Sequence, residues 1–215
     1  MIALVERPQT AAEEMANALS HGLGLVLSIA SLPVLLAFAA RRGSTLSIVG
    51  VGVFSVTMIL VYLASVLFHA LPPGRSKRFC NRLDHVAIYL FIAGSYTPFV
   101  LGLLPEGWRW AVLGLVWSLA LVGAVLKLTQ RLNNLLLSTA LYVAMSWLVV
   151  AAAAPWVQSI SADGLAWLLA GGLSYSVGVV FFLLDSKLLF GHFVWHLFAL
   201  GGSSCHFCAA LWHLN

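Results

Sequence analysis

Long apolar stretches alternate with short polar connections along the whole chain. Because the bilayer core cannot satisfy free backbone groups, such stretches must form helices or a closed barrel, and runs this long exclude the alternating pattern of barrel strands. The pattern predicts an all-α, seven-transmembrane helix bundle, with residues 1–215 as a single domain. Each of the seven stretches is long enough to cross about 30 Å of hydrocarbon as a helix: 17–40, 45–70, 84–104, 108–127, 134–154, 164–184 and 192–213.

Composition agrees with this interpretation. Of the 215 residues, 61% are hydrophobic and 8% are charged, and the mean hydropathy of +0.99 lies outside the range of soluble domains. The formal net charge of +4 does not indicate a nucleic-acid partner, because the basic residues are scattered in short connections beside apolar segments. No cleavable signal peptide is expected, since no basic segment precedes an apolar one near the start. Residues 1–16 are expected to form a short interfacial helix before the first span.

The distribution of basic residues predicts the orientation. If the N-terminal segment and every second connection share one side, the other side holds only Arg41, Arg42 and Arg109. Basic residues are enriched in short cytoplasmic loops, so the N-terminus is predicted to be cytoplasmic and the C-terminus to lie outside. The richer side carries Arg7, Arg75, Lys77, Arg78, Arg82, Lys127, Arg131 and Lys187.

Candidate chemistry collects at the predicted cytoplasmic ends of the spans. His192 and His196 are four residues apart and therefore share one helix face. Ser65 and His69 repeat this spacing at the end of the second span, and Asp84 opens the third. All of these groups lie within about two turns of the interface, at most about 10 Å deep, so they can meet. The start of the first span adds further polar groups at this depth: Glu14, Asn17, Ser20 and His21.

Ionisable groups in a membrane normally face the bundle interior and mark a functional site. Three imidazoles from His69, His192 and His196 are predicted to bind Zn²⁺, with the fourth tetrahedral position open to water as in catalytic zinc sites. Asp84 can then act as the general base toward that water, and Ser65 can orient it. Cys205, His206 and Cys208 are too closely spaced on one helix to surround a second ion, and His85 points about 100° away from Asp84.

The ordered set of motifs resembles a known family over almost the whole chain. This is the bacterial hemolysin III branch of the progestin and adipoQ receptor family. The motifs are Glu14-x-x-Asn17-x-x-Ser20-His21, Ser65-x-x-x-His69, Arg82-Leu83-Asp84-His85, Ile92-Ala93-Gly94-Ser95-Tyr96-Thr97-Pro98-Phe99 and His192-x-x-x-His196. The resemblance implies zinc held by His69, His192 and His196, with Asp84 approaching it through a water and Ser65 beside it.

The resemblance also extends to alkaline ceramidases, which implies hydrolysis of a lipid amide or ester and a part in membrane lipid homeostasis. The expected partner is a fatty acid, ceramide-like lipid or phospholipid in the cytoplasmic leaflet of the bacterial inner membrane. Hormone binding is not expected, because the chain does not show the long cytoplasmic N-terminal domain of the receptors.

Two other functions remain open. One is a lipid-sensing receptor or regulator in which zinc is structural and no chemistry occurs. The other is a channel or pore, which the almost purely apolar outer halves of the spans disfavour, since a conducting path is lined by polar groups along its length. Polar residues at the start of the first span, among them Glu14, Asn17 and His21, are expected to serve as caps or interhelical hydrogen bonds. The lipid and the oligomeric state stay undetermined.

Overall fold

A computed structural model describes residues 7–41, 44–153 and 160–214. These residues form seven α-helices and no strand. In chain order the helices are α1 Ala11–Arg41, α2 Thr45–Ala70, α3 Arg75–Leu103, α4 Glu106–Leu128, α5 Leu135–Ala153, α6 Ala162–Leu183 and α7 Gly191–Leu214.

The helices confirm the predicted membrane bundle. Six of them are long and apolar enough to cross a membrane, and α5 contributes a shorter apolar stretch, Leu135–Leu148. From α4 to α7, each helix begins and ends within three residues of the predicted span. The agreement follows from the sequence, since a short connection separates each of these helices from the one before it.

The first helix begins earlier than predicted, at Ala11 rather than at residue 17. Thr10 and Glu13 explain the start, because they form a reciprocal capping box. The Glu13 amide donates to Thr10 Oγ1 at 3.3 Å, and the Thr10 amide donates to Glu13 Oε2 at 2.9 Å. Residues 11–16 are therefore the first turns of α1 and not a separate interfacial helix, while residues 1–6 of that expectation lie outside the described part of the chain.

The third helix also begins earlier, at Arg75 instead of residue 84. The hydrophobic pattern detects only the apolar part of a helix, and Arg75–Leu83 is a polar extension without a helix breaker. Asp84 therefore lies about two and a half turns inside α3. This corrects the expectation that Asp84 opens the third helix.

Close packing of α2 against α1 and α3, and of α7 against α1 and α6, brings the polar helix ends together. Close backbone packing of α2 on α3 depends on Gly50, where an added Cβ would lie 2.7 Å from the Cα of Pro98. Leu35, Val51 and Phe54 are almost fully buried in the core between these helices. With α1, α2, α3 and α7 adjacent, their ends on one side of the bundle surround a common space.

Candidate metal centre

Three histidines from two helices meet at one end of the bundle. His69 lies in the last turn of α2, and His192 and His196 lie in the first turns of α7. The ring centroids of His69 are 5.0 Å from those of both His192 and His196, and the two α7 rings are 4.7 Å apart. One ligand atom from each ring lies within 4.8 Å of the others, a spacing at which the group could hold a metal ion.

Each of the three rings has a partner for its Nδ1 atom on the outer side of the cluster. His69 Nδ1 lies 2.7 Å from Glu14 Oε2, and His192 Nδ1 lies 3.0 Å from Asp185 Oδ2. Such outer partners fix the tautomer and the ring orientation of metal-binding histidines. With Nδ1 donating to a carboxylate, Nε2 is left with a free lone pair for a metal.

His196 is oriented by the first helix. Its Nδ1 atom lies 3.0 Å from Ser20 Oγ and 3.3 Å from the carbonyl oxygen of Asn17. Only 1% of His196 is exposed, so its orientation is determined by protein contacts and not by solvent. The carbonyl accepts from Nδ1–H, which again leaves Nε2 available.

The inner nitrogen of His69 is the clearest sign of a missing partner. His69 Nε2 is buried and has no hydrogen-bond partner among the described residues. A buried polar atom without a partner costs about 1–3 kcal/mol, and this cost is removed if the atom coordinates a cation. The donor set of three neutral imidazoles therefore fits a metal ion.

The two residues predicted to assist the metal lie beside the cluster. Ser65 is 1% exposed and stands one turn before His69 on α2. Asp84 lines the same cavity as Ser65, His192 and His196. The structure thus brings Asp84 and Ser65 to the predicted place, while their catalytic roles stay a prediction.

His21 takes a more central position than the sequence indicates. Its ring is stacked on His196 with a centroid distance of 3.4 Å and an interplanar angle of 8°. Its Nδ1 atom lies 2.6 Å from Ser65 Oγ. The residue makes an interhelical hydrogen bond, as expected of a polar group entering a span, and that bond is made to a predicted site residue.

Two further residues complete the cluster and escape sequence reasoning. Lys77 Nζ lies 2.9 Å from Glu14 Oε1 and also donates to the carbonyl oxygens of Phe68 and Leu71 at the end of α2. Asp185, in the connection before α7, accepts from His192. Neither stands three or four residues from a histidine, so neither belongs to a one-turn motif. The signal that could have found them is an ionisable residue in a short polar segment near a predicted ligand.

The remaining histidines and cysteines stay outside the cluster. His85 Nδ1 contacts the carbonyl oxygen of Asn81 at 2.8 Å, a bond within its own helix. Cys205, His206 and Cys208 lie in the second half of α7. Within residues 7–41, 44–153 and 160–214, the one group of at least three such side chains that could hold a metal is His69, His192 and His196.

A largely apolar cavity opens from the cluster into the bundle. Its volume is about 240 Å³. His192, His196, Asp84 and Ser65 line one end, and the walls come from α3, α5, α6 and α7. The apolar lining includes Phe91, Ile92, Phe99, Leu168, Leu169 and Val179. The cluster therefore opens onto a largely apolar space suited to a hydrocarbon chain.

Helical fold, apolar spans and buried histidine cluster together define a multi-pass membrane protein with a candidate metal centre. The chain belongs to the family described as Haemolysin-III related, whose model matches residues 9–207. This confirms the resemblance found in the motifs.

Named relatives agree with this assignment. The chain is 44% identical to the Hemolysin-3 homolog of Bacillus subtilis (strain 168), covering 95% of each chain, and 41% identical to Hemolysin-3 of Bacillus cereus, covering 94% of this chain and 92% of the relative. It is 28% identical to the human Monocyte to macrophage differentiation factor over 93% of this chain and 84% of that protein. No solved structure gave a match. The relatives and apolar helices indicate a multi-pass bacterial membrane protein, consistent with the inner membrane.

Proposed function

We propose that this membrane protein is a zinc-dependent hydrolase that cleaves an amide or ester bond of a lipid. The observation that supports it most is the joint position of three histidines, one carboxyl group and one hydroxyl group beside a largely apolar cavity. A metal ion, a proton acceptor and a site for a hydrocarbon chain are the parts that lipid hydrolysis requires.

Zinc is the metal that suits this donor set best. His69, His192 and His196 would hold it as neutral ligands, and three-histidine sites leave one coordination position open in catalytic zinc proteins. When bound, zinc would supply Lewis acidity, which polarises a carbonyl group and lowers the pKa of a coordinated water to about 7. The carboxylates of Glu14 and Asp185 would hold two of the rings in the required tautomer.

Asp84 and Ser65 have separate roles in this proposal. Asp84 accepts a proton from the attacking water, because its carboxyl faces the same end of the cavity as His192 and His196. Ser65 is held by the His21 ring and lines the same cavity as Asp84, so its hydroxyl would orient the carboxyl or the water. Both groups act only if the scissile carbonyl lies in the part of the cavity lined by His192 and His196.

The proposed substrate is a lipid with an acyl chain joined through an amide or ester bond. Apolar side chains from α3, α5, α6 and α7 would surround the acyl chain in place of neighbouring lipid tails, so the chain could enter from the bilayer without exposure to water. Turnover of such lipids would give the protein its part in membrane lipid homeostasis.

The proposed site faces the cytoplasmic leaflet. Cys80, in the polar extension of α3, offers a direct test of this orientation. In a Cys205→Ser, Cys208→Ser background, a membrane-impermeant maleimide is expected to label Cys80 only after the cells are opened. Labelling of Cys80 in intact cells would reverse the orientation.

Zinc content and fatty-acid release test the function together. Purified wild type is expected to hold about one zinc per chain, and His69→Ala and His196→Ala close to none, since a tetrahedral site with two remaining ligands binds weakly. His206→Ala serves as the matched control for metal content, because it removes a histidine from the same helix outside the cluster.

The activity assay uses ceramide and acyl-phospholipid in lipid nanodiscs, with released fatty acid measured by mass spectrometry. Wild type is expected to exceed His196→Ala by at least about 100-fold, in the range by which removal of a catalytic group lowers rates. Equal release would favour the receptor with structural zinc. Stoichiometric zinc in the triple variant His69→Ala, His192→Ala, His196→Ala would contradict the metal site itself.

A further inference from the structure

Glu13 precedes Glu14, the hydrogen-bond partner of His69, and is a buried carboxylate that the proposed chemistry does not use. Only 2% of the residue is exposed. Its carboxylate oxygens accept two hydrogen bonds from the Arg7 guanidinium, at 2.6 and 2.8 Å, and two from the amide and hydroxyl of Thr10, at 2.9 Å each. A buried carboxylate with this many donors is held in one position, because the loss of any donor leaves a desolvated charge without compensation.

The fifth donor comes from a distant part of the chain. The backbone amide of Phe190 donates to Glu13 Oε1 at 2.9 Å across 177 residues of sequence. Phe190 immediately precedes α7, and its carbonyl oxygen accepts the first helical hydrogen bond, from the amide of Val194. Glu13 therefore binds the residue at which the histidine-bearing helix begins.

Phe190 is held in a backbone conformation that needs external support. Its φ angle is +58°, in the left-handed region that is uncommon for a bulky residue. Left-handed non-glycine residues are strained and persist when their surroundings hold them. The hydrogen bond to Glu13 provides such support, and a negative charge at the start of α7 also interacts favourably with the helix dipole.

We infer that Glu13 is a positioning residue for the candidate metal centre, acting through the Phe190 amide to set the start of α7 and hence the placement of His192 and His196. His192 follows Phe190 by two residues, and His196 lies one turn further on. Asp185, which orients His192, belongs to the same connection. Glu13 thus acts on two of the three histidines without touching either.

Arg7 makes this arrangement stable next to the membrane. Its guanidinium forms a bidentate pair with Glu13, a geometry in which carboxylates are held strongly. Hydrogen bonding to Glu13 raises the pKa of Arg7 above its usual range, so the guanidinium stays charged. The N-terminal segment therefore contributes to the site through one ion pair.

The test compares Glu13→Gln with Glu106→Gln, an exposed glutamate at the start of α4 on the far side of the bundle. Glutamine keeps the volume of Glu13 but loses the charge and one acceptor oxygen. Hydrogen exchange in the peptide covering residues 186–193 is expected to be at least about 10-fold faster in metal-free Glu13→Gln, because a protecting hydrogen bond is lost. Glu106→Gln is expected to exchange as wild type.

This inference rests on the proposed metal site, so metal binding is measured in parallel. Zinc affinity of Glu13→Gln is expected to fall about 10-fold, at the lower end of the range for residues that orient ligands through another group. The absorption spectrum of bound Co²⁺ is also expected to change, which a loss of stability alone would not produce. Arg7→Gln removes the ion pair but leaves the hydrogen bonds from Thr10 and Phe190 to Glu13. It should therefore change zinc affinity, hydrogen exchange and the Co²⁺ spectrum in the same direction but less than Glu13→Gln does.

The outcomes separate the two proposals. Absence of zinc in wild type would overturn the proposed function, while faster exchange in Glu13→Gln would still establish the contact to Phe190. Unchanged exchange in Glu13→Gln would overturn that contact. Faster exchange with wild-type zinc affinity and an unchanged Co²⁺ spectrum would overturn the positioning role. If Glu13→Gln does not fold, Arg7→Gln decides by the same criteria.

Discussion

The two ends of the bundle use their polar side chains in different ways. At the end that carries the histidines, hydrogen bonds join residues far apart in sequence: Glu14 with His69, Ser20 with His196 and His21 with Ser65, across 55, 176 and 44 residues. At the opposite end, the side-chain hydrogen bonds that the described residues make at the helix termini are local. Ser44 accepts from the Ser47 amide, Ser161 accepts from the Gly164 amide, and Arg109 donates to the Leu104 carbonyl oxygen.

This contrast supports the proposal that the functional site lies at the histidine end. A local hydrogen bond at a helix terminus satisfies a backbone group that has no partner in the helix. A buried bond between side chains of different helices requires both helices to be placed correctly and is retained where geometry matters. Substitutions at the histidine end should therefore change the site, and substitutions at the opposite end should change stability alone.

The largest expected effect is that of Asp84→Asn. Zinc content should stay at the wild-type level, because the group that could hold the metal consists of three histidines and does not include Asp84. Lipid hydrolysis should fall by at least about 100-fold, since an amide cannot accept the proton that a carboxylate accepts. The measurement is zinc content with fatty-acid release on the same sample. Asp163→Asn, an exposed carboxyl in the first turn of α6, is the control at the opposite end.

A different result would change the interpretation of Asp84. Loss of zinc in Asp84→Asn would make Asp84 a ligand or a structural partner of the cluster. Full activity in this variant would remove it from the mechanism. An equal loss of activity in Asp163→Asn would remove the functional contrast between the two ends.

Glu14→Gln is expected to have the next largest effect. Glutamine cannot hold the His69 ring in one tautomer as a carboxylate does, and it loses the ion pair with Lys77. Zinc affinity should fall about 10- to 100-fold, the usual effect of losing an outer partner of a ligand histidine. Competition titration with a zinc chelator measures the change. Glu106→Gln should leave the affinity unaltered, and a wild-type affinity in Glu14→Gln would contradict the role of Glu14.

A smaller effect is expected at Gly50, where a substitution should lower stability without changing zinc stoichiometry. An added Cβ would meet the Pro98 backbone at 2.7 Å, and backbone cannot move aside cheaply. Gly50→Ala should lower the free energy of unfolding by about 1–3 kcal/mol, as overpacking does. Gly52, two residues later on α2, has no atom within 4 Å of an added Cβ.

The matched variant Gly52→Ala should therefore keep or slightly raise stability, because alanine favours a helix over glycine by about 0.5–1 kcal/mol. Thermal unfolding in detergent compares the two variants. Equal stability of both would show that α2 and α3 can separate without cost.

Much of the fold and the core of the site follow from sequence, for identifiable reasons. Alternation of the spans places the end of α2, the start of α3 and the start of α7 on one side, whatever the details of packing. The four-residue spacing of His192 and His196 then sets them on one face. These inferences need only helix geometry and the order of the spans. The sequence could therefore predict that His192 and His196 lie close to His69.

The rest of the site depends on the course of a connection and on how helices cross, which sequence patterns do not encode. Asp185 reaches His192 because of the course of the connection between α6 and α7, and the stacking of His21 on His196 depends on how α1 crosses α7. The start of α3 was placed too late because hydropathy measures preference for lipid and not helix formation. Glu13 could be recognised as half of a capping box with Thr10, but its bond to Phe190 could not.

The smallest expected effect is at Ser161, a helix cap at the opposite end. Its hydroxyl accepts from the Gly164 amide at 3.1 Å. Ser161→Ala should lower the free energy of unfolding by about 1 kcal/mol, the typical cost of losing an N-cap. Ser161→Asn is the matched control and should retain stability, because asparagine caps as well as serine. Zinc affinity should be that of wild type in both variants. A weaker zinc site in Ser161→Ala would mean that the two ends are coupled, and that caps of this kind contribute to function after all.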